Sequence, residues 1–131
     1  MIALDTNVLV RFLVEDDADQ SARAARLIER AVTDDDALFV SDVVVCEVVW
    51  VLAGAYRFGR AEISGTLSEL LRARHLTFRD PDGLSRALRA FEVWRADFAD
   101  YLIREHARAS GCETVATFDG ALLRDDGFIA P

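Results

Sequence analysis

The chain has 131 residues, enough for one domain with a hydrophobic core and too few for two ordinary domains, so we predict a single domain over residues 1–131. The formal net charge of -8 argues against a protein that binds nucleic acid over a broad basic face, but it is compatible with a small acidic site that takes up divalent cations. All 15 basic residues are arginine, and the absence of lysine excludes Walker-type phosphate binding and Schiff-base chemistry.

The sequence gives no sign of membrane insertion or export. No apolar run approaches the roughly 20 residues that a membrane-spanning helix needs. The amino-terminal residues lack the basic stretch and the cleavage site of a signal peptide. Cys46 and Cys112 both lie in apolar, helix-like contexts without a metal-binding or redox spacing, which favours buried, reduced thiols. We therefore expect a cytoplasmic protein.

The chain begins with a short apolar run, Met1–Leu4, which stops at Asp5 and is followed by apolar residues at helical spacing. This pattern predicts a strand, a turn and a helix. Thr6 and Asn7 have side chains that can cap the helix, which would place Asp5 at the carboxyl end of the strand. Ligands bind at that edge of an open α/β sheet, so Asp5 is a candidate functional residue. The alternative is that Asp5 itself caps the helix or belongs to the turn.

The next segments repeat the alternation of helix and strand. Ala18–Val32 has the spacing of an amphipathic surface helix, and Ala37–Val40 is a second buried-strand candidate that ends at Ser41. The apolar stretch Val43–Tyr56 is rich in β-branched residues, which favour a strand. Its length favours a helix instead, with Ser41 or Asp42 as its cap, and we predict the helix.

Glu47 is the only side chain between Val43 and Arg57 that carries a formal charge at neutral pH. An unpaired carboxylate in apolar surroundings costs several kcal/mol or stays protonated, so we expect a compensating partner. That partner is either a buried arginine or a metal ion, unless Glu47 acts as an acid held in its protonated form. We favour the functional roles because no arginine occurs in the same segment.

The middle of the chain predicts a helix, a strand and another helix. Arg60–Arg74 has one apolar face, His75–Phe78 is a third short-strand candidate, and Leu84–Trp94 returns to helical spacing. Between the last two, we expect Asp80–Gly83 to form a turn whose geometry Pro81 sets.

Asp97 and Asp100 stand three residues apart at the predicted start of a helix that runs to about Ser110. This spacing places both carboxylates on one face, beside the positive end of the helix dipole. Helix capping accounts comfortably for one of these acids but not obviously for both. They are therefore candidate functional residues.

The carboxyl-terminal segment predicts a fourth strand and a possible fifth. Thr114–Phe118 has strand character and stops at Asp119, which precedes a short helix to Leu123. Phe128 and Ile129 are candidates for a final edge strand.

Alternating strands and helices call for an α/β fold with a central parallel sheet of four to five strands, covered by helices on both sides. Parallel strands end at a common edge, so the topology should gather distant polar residues there, among them Ser41. The acids expected at this edge are Asp5, Glu47, Asp97, Asp100 and Asp119. Carboxylates without histidine, cysteine or lysine select hard cations such as Mg²⁺ or Mn²⁺. Two such ions can hold the attacking water and the leaving oxygen of a phosphodiester.

Four fragments, in this order and spacing, resemble the signature of PIN-domain ribonucleases, and specifically of the VapC-type toxins of toxin–antitoxin pairs. They are Asp5-Thr6-Asn7 after the first strand, Glu47 in an apolar helix, Ala96-Asp97-Phe98-Ala99-Asp100, and Thr117-Phe118-Asp119. Each fragment is weak alone, but the four together are fairly specific and span almost the whole chain.

The resemblance implies a three-layer α/β/α sandwich, Mg²⁺- or Mn²⁺-dependent endonuclease cleavage of RNA, a homodimer, and a small VapB-type antitoxin that blocks the acidic pocket. In this comparison Asp5, Glu47, Asp100 and Asp119 take the four acidic positions of the family, and Asp97 is an additional acid. The metal ligands would be Asp5, Asp97 and Asp100. The polar residues that support them would be Thr6, Asn7, Ser41 and Thr117.

The departures from the family pattern are few. Tyr101 fills a position where the family often has a smaller side chain, and RNA contacts would fall to arginine alone, which binds phosphate well.

Two other functions are alternatives to a ribonuclease. A phosphatase or phosphotransferase with Asp5 as nucleophile would resemble haloacid-dehalogenase-like or receiver proteins, but those families also use a lysine. Haloacid-dehalogenase-like enzymes further require a second aspartate where Asn7 stands. A non-catalytic domain that only binds a partner is the other alternative, and the presence of every acidic position disfavours it.

Overall fold

The computed structural model describes every residue of the chain, from Met1 to Pro131. It contains six α-helices and five short parallel strands, which confirms the predicted α/β class. By their internal contacts the residues form two compact units, Met1–Arg79 and Asp80–Pro131, and a single domain over the whole chain stays a prediction. None of the helices combines the length and the apolar character needed to cross a membrane.

The first unit contains three strands and four helices, namely β1 (Ile2–Ala3), α1 (Thr6–Leu13), α2 (Ala18–Thr33), β2 (Leu38–Phe39), α3 (Asp42–Gly54), α4 (Arg60–Arg72) and β3 (Leu76–Thr77). The strands pair in the order β1-β2-β3, with Leu38 of the central strand opposite Ile2 and Leu76. The ladder continues past the strand ends, since the Leu4 N–H donates to the Phe39 carbonyl at 2.8 Å. Each strand therefore delivers its following residues to the same edge of this sheet.

Helix α3 confirms the prediction of a helix in a segment with strand-like composition. The Ser41 hydroxyl accepts a hydrogen bond from the Val44 N–H at 3.2 Å and so caps its first turn. Val48, Val49 and Leu52 are almost completely buried on its inner side. Capping and burial together outweigh the unfavourable helix propensity of the valines, which amounts to well under about 1 kcal/mol each.

The second unit contains α5 (Pro81–Val93), α6 (Phe98–Ala109), β4 (Val115–Ala116), a 3₁₀ turn (Leu122–Arg124) and β5 (Phe128–Ile129). Helices α5 and α6 pack through an edge-to-face contact of Phe91 with Phe98, whose ring centroids lie 6.2 Å apart. Gly111 ends α6 with a φ of +87°, a conformation that favours glycine. The parallel pairing of β4 with β5 places Val115 opposite Phe128.

The strands do not form the one continuous sheet that we predicted. Hydrogen bonds join them in two sets, a three-stranded sheet of β1, β2 and β3 and a two-stranded sheet of β4 and β5. Every strand is only two residues long, so each pair is held by few backbone hydrogen bonds and side-chain packing carries more of the stability.

The turn predicted at Asp80–Gly83 is instead the start of α5. Asp80 is the N-cap residue, and its carboxylate accepts a hydrogen bond from the Gly83 N–H at 3.0 Å. Pro81 occupies the first helical position, where its missing N–H costs nothing. The prediction was wrong because aspartate, proline and glycine also make up a common turn sequence. A side chain at Gly83 would collide with the capping carboxylate, which explains a glycine inside this helix.

The cysteines differ in their surroundings. Both thiols are free, and Cys46 is buried inside α3 as expected. Cys112 is exposed, contrary to prediction, because α6 ends at Ala109 and Gly111 turns the chain before the cysteine is reached.

Candidate functional site

Asp5 lies at the junction of β1 and α1. It is the N-cap residue of α1, and its Oδ1 accepts a hydrogen bond from the Thr6 N–H at 2.8 Å. The prediction that Thr6 and Asn7 cap this helix was therefore wrong, and the capping alternative for Asp5 is confirmed. A carboxylate has two oxygens, so a cap at Oδ1 is compatible with a ligand at Oδ2. The side chain is exposed and open to a ligand.

Glu47 is joined to this junction by a hydrogen bond. The hydroxyl of Thr6, a residue with only 4% of its surface exposed, donates to Glu47 Oε2 at 3.3 Å. Contrary to prediction, Glu47 does not lie in apolar surroundings but is exposed. The sequence was misleading because the outer side of α3 carries Val43 and Trp50, which are 67% and 52% exposed. We call Asp5 and Glu47 the first acid group.

The two remaining candidates of the first unit have different positions. Ser41 caps α3, as described above, and thus fixes the start of the helix that carries Glu47. Asn7 is exposed and lines an open cavity of about 540 Å³ between α1 and α2, together with Val8, Arg11, Gln20, Arg23, Ala24 and Leu27. Asn7 is therefore accessible from solvent, and its supporting role at the site stays a prediction.

Arg11, on the wall of this cavity, belongs to a polar network that the sequence did not reveal. Its Nη1 donates to Asp16 Oδ1 at 2.8 Å and to the Tyr56 hydroxyl at 3.2 Å. Tyr56 in turn donates to Asp16 Oδ2 at 2.7 Å. The hydrogen bond from Tyr56, together with the nearby guanidinium, lowers the pKa of Asp16. Tyr56 follows Asp16 by 40 residues, so no local pattern could have indicated the pair.

In the second unit, Asp97 and Asp100 form the start of α6 as predicted. Asp97 is the N-cap residue, and its backbone N–H donates to Asp100 Oδ2 at 3.2 Å. Asp97 is exposed and Asp100 is half-buried. Both acids therefore have a part in starting the helix, where the partial positive charge of the helix dipole favours anions.

Asp119 lies in the loop after β4, where two hydrogen bonds hold it. Its backbone N–H donates to Thr117 Oγ1 at 3.0 Å, and its Oδ1 accepts from the Ala121 N–H at 2.9 Å. Thr117 thus supports Asp119, as the resemblance implies for it. We call Asp97, Asp100 and Asp119 the second acid group.

The three members of the second acid group share one electrostatic environment. Partial burial raises the pKa of Asp100, and the negative charges of Asp97 and Asp119 raise it further, against the lowering effect of the hydrogen bond from the Asp97 backbone. Asp100 therefore lies close enough to Asp97 and Asp119 for their negative charges to act on it. A bound cation would relieve this repulsion.

The donor chemistry fits a hard divalent cation, since both acid groups offer only carboxylate oxygens. Nowhere in the chain do three or more histidine, cysteine, aspartate or glutamate side chains converge in an arrangement that would hold a metal ion. The ligand set of Asp5, Asp97 and Asp100 accordingly stays a prediction.

Two buried residues that were not among the predicted site residues support the second acid group. The Tyr101 hydroxyl accepts a hydrogen bond from the Ala96 N–H at 3.0 Å and donates to Asp125 Oδ2 at 2.7 Å. Tyr101 is fully buried and Asp125 is 8% exposed. Because Ala96 directly precedes Asp97, the pair fixes the chain where it enters α6.

Glu105 is a third buried residue that was not among the predicted site residues, and its side chain is 0% exposed. It contacts three arginines, with Arg86 Nε at 2.9 Å, Arg108 Nη1 at 3.1 Å and Arg104 Nε at 3.9 Å. A signal was present, because Glu105 follows Phe98, Tyr101 and Leu102 at the spacing of the buried face of α6.

Comparison with known proteins gives one match. The model of the PIN domain family matches residues 2–126, which include both acid groups. No curated protein matches the chain.

Proposed function

The chain belongs to the PIN domain family, whose members are generally nucleases, and from this premise we propose that it is a metal-dependent endoribonuclease. The observation that carries the proposal is the second acid group. Asp97 and Asp100 stand together at the start of α6, where the Asp97 N–H donates to Asp100 Oδ2, and partial burial together with the negative charges of Asp97 and Asp119 raises the pKa of Asp100. Acids of like charge with a raised pKa are common at functional sites.

The acids have distinct roles in this proposal. Asp5, Asp97 and Asp100 would hold Mg²⁺ or Mn²⁺, and Glu47 and Asp119 would complete the site or orient the attacking water. When bound, the ion supplies Lewis acidity and a water of lowered pKa for hydrolysis of the phosphodiester bond.

Hydrogen bonds within the chain position these acids. Thr6 holds Glu47 Oε2 through its hydroxyl, and the Asp97 N–H holds Asp100 Oδ2. Thr117 holds the backbone of Asp119, and Ser41 fixes the start of α3. The first two bonds limit the rotation of the Glu47 and Asp100 carboxylates, and the other two hold the backbone on which Asp119 and Glu47 stand, which lowers the reorganisation needed for reaction.

We further propose that the chain is the toxin of a VapBC-type pair in the cytoplasm, that it works as a homodimer, and that a small VapB-type antitoxin blocks the acidic site. The four-fragment resemblance supports this assignment. Its direct test is expression in a bacterial host: growth should stop, and co-expression of a short open reading frame from immediately upstream should restore it. Growth arrest that persists in an Asp5→Asn variant would mean that toxicity does not come from this site.

The nuclease activity is tested with purified protein and end-labelled RNA, with Mn²⁺ or with a chelator. We expect metal-dependent cleavage that Asp5→Asn and Asp100→Asn abolish. Asp19→Asn is the matched control, because Asp19 is an exposed aspartate of α2 whose side chain is 81% exposed. The proposal fails if Asp5→Asn cleaves RNA as well as the control does.

The same preparation separates the alternatives. Trapping of an acyl-phosphate on Asp5 would support a phosphotransferase instead. Absence of both cleavage and calorimetrically detectable Mn²⁺ binding would support a domain that only binds a partner.

A further inference from the structure

Phe118 is the most exposed large apolar side chain of the protein. It is 93% exposed, against 74% for Met1 and 73% for Val93. A phenylalanine that is left in water forgoes about 1.5–3 kcal/mol of burial free energy. Phe118 stands between Thr117 and Asp119, so this exposed ring adjoins the second acid group in the chain.

The backbone on both sides of the ring is held in place. The Thr117 N–H donates to the Ile129 carbonyl at 2.9 Å, which ties the residue before Phe118 to β5. After the ring, the Asp119 N–H bonds to Thr117 Oγ1 and the Asp119 carboxylate caps Ala121. The ring is therefore presented on a fixed loop, and a ligand that covers it has little backbone entropy to remove.

We propose that the Phe118 ring is the stacking platform for an unpaired nucleobase of the RNA, next to the bond that is cut. This inference rests on the proposed nuclease function and names its substrate as single-stranded at this point. Base-on-aromatic stacking is the common way in which proteins hold unpaired RNA, because every base offers a flat face whatever its sequence.

The surroundings favour a base over a protein partner. Along the chain Phe118 is flanked by the polar Thr117 on one side and by Asp119 and Gly120, both exposed, on the other. A stable protein interface needs roughly 800 Å² on each partner with an apolar centre, whereas a single ring matches a single base. The neighbouring acids would attract a cation, and a bound cation would in turn attract the phosphate of a nucleotide.

An unpaired base is required because paired bases already stack on their own neighbours, and a base must be turned out of a helix before it can lie on a protein ring. The platform thus predicts a preference for loops and single strands over continuous duplex. It also supplies affinity without lysine or a basic face.

The test measures binding of a short fluorescein-labelled oligoadenylate by fluorescence anisotropy with Mg²⁺ present. The protein is full-length and carries Asp5→Asn, so that the proposed reaction does not consume the RNA. Three substitutions are added to this background: Phe118→Ala, Phe118→Leu and Phe118→Tyr. Ile103→Ala is the control, because Ile103 is another exposed apolar residue of the second unit, 54% exposed.

We expect Phe118→Ala and Phe118→Leu to weaken binding by about 5- to 150-fold, whereas Phe118→Tyr keeps the flat ring and the affinity. Ile103→Ala should bind like the parent. With the same strand annealed to oligouridylate, the dependence on Phe118 should disappear. Equal affinity of Phe118→Ala and the parent overturns the proposal, and so does a Phe118→Leu variant that binds normally, since leucine is apolar but cannot stack.

Binding and cleavage report on separate claims. If Phe118 governs binding but the unmodified protein does not cleave RNA, stacking stands and the nuclease function falls. If the unmodified protein cleaves RNA but Phe118→Ala changes neither affinity nor rate, the nuclease function stands and stacking falls.

Discussion

The hydroxyl of Tyr101 donates a 2.7 Å hydrogen bond to the carboxylate of Asp125, and both residues are buried. The same hydroxyl accepts the N–H of Ala96, the residue before Asp97. The Tyr101 hydroxyl thus links the Asp125 carboxylate to the backbone of Ala96, just before the second acid group begins. The guanidinium of Arg104 lies 5.3 Å from the centroid of the Tyr101 ring and adds a cation–π contact.

Tyr101→Phe should destabilise the protein by about 1–3 kcal/mol, because it leaves a buried carboxylate and a partly buried N–H without their partner. Urea unfolding measures the change. Tyr56→Phe is the matched control: its hydroxyl also bonds to an aspartate, but at an exposed position where water can replace it, so its effect should be smaller. Equal losses from the two variants would contradict the structural role of the buried pair.

Glu105→Gln should lower the free energy of unfolding by about 3 kcal/mol, the low end for removing one charge from a buried ion pair. The low end applies because Arg86 and Arg108 are 47% and 41% exposed and water can solvate them. The Arg104 side chain is only 8% exposed, so water solvates it less readily than the other two arginines. Glu92→Gln, at an exposed position of α5, should be nearly neutral. If the destabilisation disappears in high salt, solvent screens the ion pair, which would contradict the burial of Glu105.

Asp100→Asn should stabilise the folded protein at neutral pH. Burial and the charges of Asp97 and Asp119 raise the pKa of Asp100 above its ordinary value of 3.8. The unfolded chain therefore releases this proton at lower pH than the folded chain, and stability falls as pH rises from about 3.8 through the folded pKa. Thermal unfolding of both proteins between acid and neutral pH measures the difference, which should shrink toward zero below pH 3.8. A variant less stable than the parent at neutral pH contradicts this sign.

Asp5→Asn and Asp5→Ala separate the two roles of Asp5. Asparagine also caps helices well, so Asp5→Asn should keep the stability of α1, whereas Asp5→Ala should cost about 0.5–2 kcal/mol. Both should lose RNA cleavage if the carboxylate acts in the reaction. Should Asp5→Asn retain full cleavage while only Asp5→Ala loses stability, capping would be the sole role of this residue. Unfolding curves and cleavage rates on the same preparations provide the two readouts.

The sequence was a reliable guide wherever a local pattern determines the structure. Helical spacing identified α2, α4 and α6, and the capping pair of Asp97 and Asp100 was placed at the start of α6. Local patterns were ambiguous where one residue type serves two purposes. Aspartate, threonine and asparagine all cap helices, so the sequence Asp5-Thr6-Asn7 did not reveal which of them does so.

Features that depend on distant residues could not be predicted. The exposure of Glu47 could not be predicted because Val43 and Trp50, which are apolar, also lie on the outer side of the same helix. Tyr101 and Asp125 are hydrogen-bonded but lie 24 residues apart, so no periodic pattern in the sequence indicates the pair. Glu105 was the exception, since an acid on the apolar stripe of α6 signals a buried ion pair. The joint action of the two acid groups stays a prediction for the variants above to test.

The brevity of the strands has a consequence for hydrogen exchange. Since each strand contributes two residues, few amide protons are locked in the sheets, and most protected amides belong to helices. The slowest exchange with deuterium should occur along the inner sides of α3 and α6, at Val48, Val49, Tyr101 and Leu102, where burial is greatest. In this protein the sheets would open first, and the helices would report the free energy of complete unfolding.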